Sequence, residues 1–256
     1  MRMRALRIFV AATAVALAMM SGADAAETKG LISTAVKAAM DELVPQFERA
    51  SGHKVTIGYG PSGGIARQFN AGEPADFIVV DSGVLGELIK QGKVAAGPTD
   101  IARTGIGIAV RKGAPKPDVS TADALKRALL AAKTVGHTAP AGGGITAGHL
   151  LKMFEKLGIA SEVTAKTRLA AGGPNGRVSV LVASGEAEIG LQLASELMSN
   201  PDVEMIGLLP AELQLIAVIS GGITVGAKEP DAARALIRFL AAPAAMPVYK
   251  AKGLTL

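Results

Sequence analysis

The sequence predicts an α/β protein with mostly parallel sheets. Short β-rich apolar runs alternate with amphipathic helical runs along the chain, which is the order of a sheet with helices packed on it. Small polar or glycine-rich loops join the two kinds of run. Of 256 residues, 49% are hydrophobic and 19% charged, a composition that supports a large core and excludes a wholly disordered chain.

The first 25 residues read as a secretory signal outside the fold. Arg2, Arg4 and Arg7 precede a small, apolar run from Ile8 to Met20, and Ala23 and Ala25 form an A-x-A cleavage site. The apolar run falls short of the roughly 20 residues a spanning helix needs. Cleavage after Ala25 leaves 231 residues. It removes three arginines and Asp24, so the formal charge of +5 becomes +3.

The elements then follow in order. Residues 30–33 end a first strand. Residues 35–50 form a helix with Ala39, Leu43, Val44 and Phe47 on one face, stopped by Ser51-Gly52. Val55, Ile57 and Tyr59 alternate in a strand over 54–59, and Gly60-Pro61-Ser62-Gly63-Gly64 makes a loop. A short helix at 65–71, a buried strand at 77–80 bracketed by Asp76 and Asp81, and a helix at 84–91 come next. A strand at 105–110 leads to a helix at 121–133, capped by Ser120 or Thr121. A strand at 134–137 enters the Gly142-Gly143-Gly144 loop, and a helix runs 147–157. Helix 177–184, strand 188–192, strand 213–220 and helices 230–241 and 243–252 complete the chain.

Four loops share one character: Ile32-Ser33-Thr34, Pro61-Ser62-Gly63-Gly64, Gly142-Gly143-Gly144-Ile145-Thr146 and Gly172-Gly173-Pro174-Asn175-Gly176-Arg177. Each lies between a strand and a helix or just before a helix. There the unpaired N–H groups and the positive end of the helix dipole favour an anion. Any one of them also reads as ordinary capping; four in one chain suggest that several converge on a ligand. None matches a nucleotide fingerprint.

Arg67 and Arg177 are candidate anion partners, or surface and loop ion pairs. Gln192 interrupts an apolar run, and a buried amide needs partners. His137 beside the glycine loop reads first as a satisfied, partly buried residue; His149 and His53 read as helix and turn residues. The absence of cysteine excludes disulfides, thiolate metal sites and thiol nucleophiles, and three histidines at non-ligand spacings give no metal motif. No Ser-His-Asp order or G-x-S-x-G elbow occurs. Aromatics at 3% with no Trp, and dispersed basic residues, argue against a nucleic-acid surface.

The runs Ser51-Gly52-His53-Lys54-Val55, Tyr59-Gly60-Pro61-Ser62-Gly63, Ala71-Gly72-Glu73-Pro74-Ala75-Asp76, Gly185-Glu186-Ala187-Glu188-Ile189-Gly190-Leu191-Gln192 and Pro210-Ala211-Glu212-Leu213-Gln214 resemble molybdate-type periplasmic solute-binding proteins. The resemblance covers the chain beyond the signal. It implies a type 2 periplasmic binding fold: two α/β lobes joined by two crossing strands, with a ligand cleft between them. The lobes would be 26–103 with 220–256, and 104–219, with crossings near 103–105 and 219–221.

The family's oxyanion site implies ligand-binding roles for Ser33 and Ser62, and backbone N–H groups from the Gly142–Thr146 loop and the region of Asn175 and Arg177. The resulting candidate set is Ser33, Ser62, Gly63, Arg67, Gly143, Thr146, Asn175, Arg177 and Gln192. Gln192-Leu193 stands where the family has a tyrosine, a departure that bears on molybdate itself. The resemblance implies a monomer in the periplasm that captures a small anion, an oxyanion or a small carboxylate, without a cofactor, and delivers it to an ABC transporter permease. Some chains similar to this group are aconitate isomerases. In that alternative the cleft interconverts trans- and cis-aconitate, with His137 a first guess for the base.

Overall fold

The computed structural model describes residues 25–171 and 177–256. The signal sequence through Asp24, and Asn175 among the candidate ligand residues, lie outside them. The architecture is α/β, as the alternation of runs predicts. Strands β1 (Glu27–Ser33), β2 (Lys54–Gly60) and β3 (Phe77–Asp81) alternate with helices α1 (Lys37–Ser51), α2 (Ser62–Asn70) and α3 (Ser82–Lys90). The long β4 (Thr99–Arg111) follows, then α4 (Ala122–Ala131), β5 (Val135–Thr138), α5 (Thr146–Lys156), α6 (Ala160–Thr164) and β6 (Thr167–Ala170). Next come α7 (Val178–Ser184), β7 (Ile189–Leu193), α8 (Ala194–Leu197), β8 (Val203–Leu208), β9 (Ile216–Ile223), α9 (Pro230–Leu240) and α10 (Met246–Ala251).

The strand order is β2-β1-β3-β9-β4-β7-β5-β6, with β8 also on β4. Two parallel trios, β2-β1-β3 and β6-β5-β7, therefore flank an antiparallel centre of β9 and β4. The 13-residue β4 belongs to both halves. Residues 99–105 pair with β9, and residues 106–111 pair with β7 and β8. β9 in turn hands the sheet on to β3. β4 and β9 are the two strands that cross between the α/β lobes. The sheet is thus mixed rather than mostly parallel.

Burial follows the pleat. In β3, Phe77 and Val79 join the main core beneath α1 and α9, while Ile78 and Val80 join a second core with Leu85 and Leu88 of α3 and Ile65 of α2. Both faces are covered, which is why this strand reads as an unbroken apolar run. A third core, with Val178, Val182 and Leu197, covers the opposite face of the second half.

Four elements escape sequence reading: β6, β8, α6 and α8. The two strands are short and half-buried or exposed, and the two helices have five and four residues, too few for periodicity to register. β4 begins six residues before the expected 105 because Asp100, Arg103 and Thr104 hide an edge-like polar start. The helix expected at 65–71 begins at Ser62, so the Pro61-Ser62-Gly63-Gly64 loop is largely its first turn; Pro61, at φ −60°, is the residue before it.

Asp76 fastens the end of the fold opposite the strand carboxyl ends. Its carboxylate accepts from the N–H of Lys29 (2.8 Å), Lys228 (2.6 Å) and Glu229 (3.2 Å) and from the Thr28 hydroxyl (3.3 Å). It thereby ties β1 to the chain entering α9. Burial pushes its pKa up, but these donors outweigh it and hold the carboxyl below the ordinary value of 3.8. A depressed folded pKa stabilises the fold above the unfolded value, and that contribution is lost as pH falls through the folded one. Asp76→Asn is expected to cost about 1–3 kcal/mol near neutral pH, by setting an NH2 among donors. It should also flatten the acid limb of stability below about pH 4, read by urea denaturation across pH.

Two glycines give an opposed pair of tests. A Cβ on Gly30 would lie 2.1 Å from the ring of Phe77 on the neighbouring strand, whereas a Cβ on Gly86, inside α3, would meet nothing within 4 Å. Gly30→Ala is expected to destabilise by about 1–3 kcal/mol through overpacking. Gly86→Ala should stabilise by up to about 1 kcal/mol through helix propensity. Thermal denaturation should move the two midpoints in opposite directions.

Candidate functional site

In each parallel trio the middle strand, β1 or β5, comes before its two neighbours in sequence, so the chain turns off to opposite sides at its carboxyl end. Ligands in open α/β sheets bind at such switch points. Here the two switch points frame one cleft. Ser33, Thr34, Pro61 and Ser62 line it from the β1–β3 half; Thr138, Thr146, Arg177, Gln192 and Glu196 line it from the other. The cleft is tight, with about 30 Å³ of room for water-sized spheres.

Ser33 ends β1 and caps a 3₁₀ turn over Thr34–Val36, its Oγ accepting from the Ala35 N–H at 3.3 Å. Ser62 opens α2 and donates to Ser33 Oγ at 3.1 Å while accepting from the Asp81 N–H at 3.1 Å. The two serines are therefore one unit, and this arrangement leaves the Ser33 hydroxyl hydrogen for a ligand. α2 and α5 both begin at the cleft, and neither start has a side-chain cap. Apart from the Gly63 N–H, which is given to the Gly143 carbonyl, their first-turn N–H groups are donors of the kind an anion takes.

The candidates fall into three groups. Ser33, Ser62, Thr146, Arg177 and Gln192 line the cleft together. Gly63, Arg67 and Gly143 sit at its lip, where the two halves touch. The Gly63 N–H donates to the Gly143 carbonyl at 3.0 Å, and Arg67 Nη2 reaches the Ala141 carbonyl at 3.5 Å. A Cβ on Gly63 would lie 2.9 Å from the Gly143 oxygen, and Gly143 itself takes φ +76°, so this backbone contact requires both glycines. Asn175 lies outside the described residues.

Gln192, on β7, is buried and satisfied. Its Oε1 accepts from the Val178 N–H at 3.1 Å, which fixes the start of α7 beside Arg177. Arg177 Nη1 donates to Ser199 Oγ at 3.1 Å, while its buried Nε has no partner among the described residues. His137 does not line the cleft. Its Nδ1 lies 3.0 Å from the Thr138 carbonyl and its ring packs against Phe154. Burial lowers its pKa, with the Thr138 contact opposing.

Sequence reading placed Thr34 in a candidate loop without singling it out, and missed Glu196. Thr34 Oγ1 donates to Glu196 Oε1 at 2.7 Å across the cleft. Burial pushes the Glu196 carboxyl above its ordinary value, opposed by hydrogen bonding from Thr34, by the Arg177 charge and by Gln192. The available signal was an acid three residues past an apolar strand, in a helix of four residues.

A family model described as a bacterial extracellular solute-binding protein matches residues 29–255. An aconitate isomerase from Pseudomonas sp. is 34% identical over 230 residues, covering 88% of this chain and 86% of that protein. The molybdate-binding protein ModA of Azotobacter vinelandii is 29% identical over 238 residues, 90% of each chain. Among solved structures, the periplasmic molybdate-binding protein of Azotobacter vinelandii has TM-score 0.72 at 22% identity, covering 90% of this chain and 99% of that one. The sulfate-binding protein SubI of Mycobacterium tuberculosis has TM-score 0.73 at 17% identity, covering 90% and 86%. The fold is that of the periplasmic binding proteins, and the chain belongs to the bacterial extracellular solute-binding protein family.

Proposed function

We propose that the chain captures a small anion, an oxyanion or a small carboxylate, in the cleft between the lobes and delivers it to an ABC importer after export past its N-terminal signal. The observation that carries this reading is the convergence of the Ser33–Ser62 pair, Thr146, two uncapped helix starts and Arg177 on one small cleft. The lobes would be 26–103 with 220–256, and 104–219. Isothermal titration and thermal shift with molybdate, tungstate, sulfate, phosphate and small di- and tricarboxylates test it. A ligand at 100 times its Kd adds about 2.7 kcal/mol of stability. Ser33→Ala and Arg177→Ala are each expected to weaken binding about tenfold to a hundredfold, because hydrogen bonds to a charged ligand are worth about 1.5–3 kcal/mol. No heat and no shift across the panel would remove the reading.

A second reading is favoured by Glu196, the one carboxyl lining the cleft among the described residues, and by the 34% identical aconitate isomerase. In an isomerase of that kind a base takes a proton from the methylene carbon, the double bond moves one position, and a proton returns to the former alkene carbon. Glu196 serves that role better than His137, because it faces the cleft and burial raises its basicity. Ultraviolet absorbance of trans-aconitate incubated with the protein reads the reaction. Glu196→Gln is expected to lower turnover by at least about a hundredfold. Absence of interconversion by the unaltered protein leaves binding as its role.

A further inference from the structure

We propose that the C-terminal tail, residues 252–255, is an interlobe strap: anchored in the first lobe, it lies against α8 of the second and sets how far the two close. Its effect on affinity rests on the cleft being an anion site; its effect on closure does not.

The tail is fastened to the first lobe and to the crossing. Lys252 pairs with Glu42 of α1. Leu254 is buried in the main core, and its N–H donates to the Tyr249 carbonyl at 3.0 Å. The buried Tyr249 hydroxyl donates in turn to the Leu240 carbonyl at 2.8 Å, so the tail, α10 and the end of α9 form one piece. Arg103 of β4 donates its N–H to the Thr255 carbonyl at 2.7 Å and accepts from the Thr255 N–H at 2.9 Å. β9 holds one edge of β4 at this point, and the tail takes the other. The Thr104 hydroxyl adds a hydrogen bond to the Gly253 carbonyl at 3.2 Å.

At Gly253 this piece meets the second lobe. A Cβ there would lie 2.6 Å from Met198 Sδ and 3.5 Å from the Ala194 carbonyl carbon and the Ser195 nitrogen, so the tail approaches α8 with bare backbone. Its φ of +71° is one that glycine adopts freely. α8 also carries Glu196, which the Thr34 hydroxyl reaches at 2.7 Å. This four-residue helix is therefore met from the first lobe at two points. Thr34 lines the cleft, whereas Gly253 and Met198 are not among its lining residues. A contact that opening would break, and that no ligand touches, acts on the closed population alone. Apparent affinity follows the fraction of binding-competent molecules, so the strap scales the Kd of every ligand by one common factor.

The chain has no cysteine, so Gln68→Cys in α2 and Lys152→Cys in α5 place spin labels at exposed positions on the two lobes. Double electron–electron resonance then reads the interlobe distance without any ligand. Met198→Ala, at a residue 43% exposed, removes the contact, and Gly253→Ala pushes the tail off α8. Both are expected to shift the distances longer. Both should also raise the Kd of each anion that binds, among molybdate, sulfate, phosphate and citrate, by one common factor of about threefold or more. Gly113→Ala is the matched control: its φ is +79°, yet a Cβ there meets nothing within 4 Å. It should lower stability through strain while leaving distances and Kd unchanged. Unchanged distances in Met198→Ala overturn the strap, whether or not Gly253→Ala folds. Kd increases that differ among ligands, or a Gly113→Ala protein that opens equally, overturn it as well. If no anion binds the unaltered protein, the anion reading fails, and the distances still decide this proposal.

Discussion

The antiparallel pairing of β4 with β9 is the constraint on which the rest depends. One strand of 13 residues serves two half-sheets, giving its first part to β9 and its second to β7 and β8. Because β9 also pairs with β3, the two parallel trios are fixed on either side of the same crossing. Their switch points, at the ends of β1 and β5, then confront each other. The cleft is the consequence of that geometry. Ser33 and Ser62 face Thr146 and Gln192 because strands carry them there, across more than eighty residues of sequence.

Much of the fold was legible because strongly patterned segments spoke for themselves. The apolar face of α1, the double-sided burial of β3 and the capped start of α4 at Thr121 each follow from local spacing. What stayed hidden was short or mixed. β8 is half-buried along its length, and the opening of β4 alternates too loosely to read as a strand. The lining of the cleft was legible where it rests on small polar loops, as with Ser33, Ser62 and Thr146. Arg67 reaches across the lip to Ala141, a position that only the tertiary approach of the two lobes decides for a long side chain. Glu196 lay beyond sequence reasoning for the same reason: its meaning comes from Thr34, 162 residues away.

The electrostatics of the cleft are finely balanced rather than simply positive. Arg177 has one nitrogen engaged by Ser199 and a buried Nε without a partner among the described residues. Glu196 opposes it, yet burial weakens that opposition by favouring the neutral carboxyl. Dipoles fixed by strand and helix ends need no reorganisation when a ligand arrives, which suits recognition by shape.

Closure rests on few interlobe polar contacts at this site: Gly63 to Gly143, Arg67 to Ala141 and Thr34 to Glu196. A typical internal hydrogen bond contributes about 0.5–1.5 kcal/mol net, so three of them do not dominate the equilibrium between open and closed forms. A ligand shifts such an equilibrium only by its differential affinity for the two states. On the proposed reading, Ser33 and Ser62 on one side and Thr146 and Arg177 on the other would contribute to the same ligand only when the lobes are together. A bound anion would then add contacts that hold the lobes closed, alongside the Thr34–Glu196 hydrogen bond that already joins them.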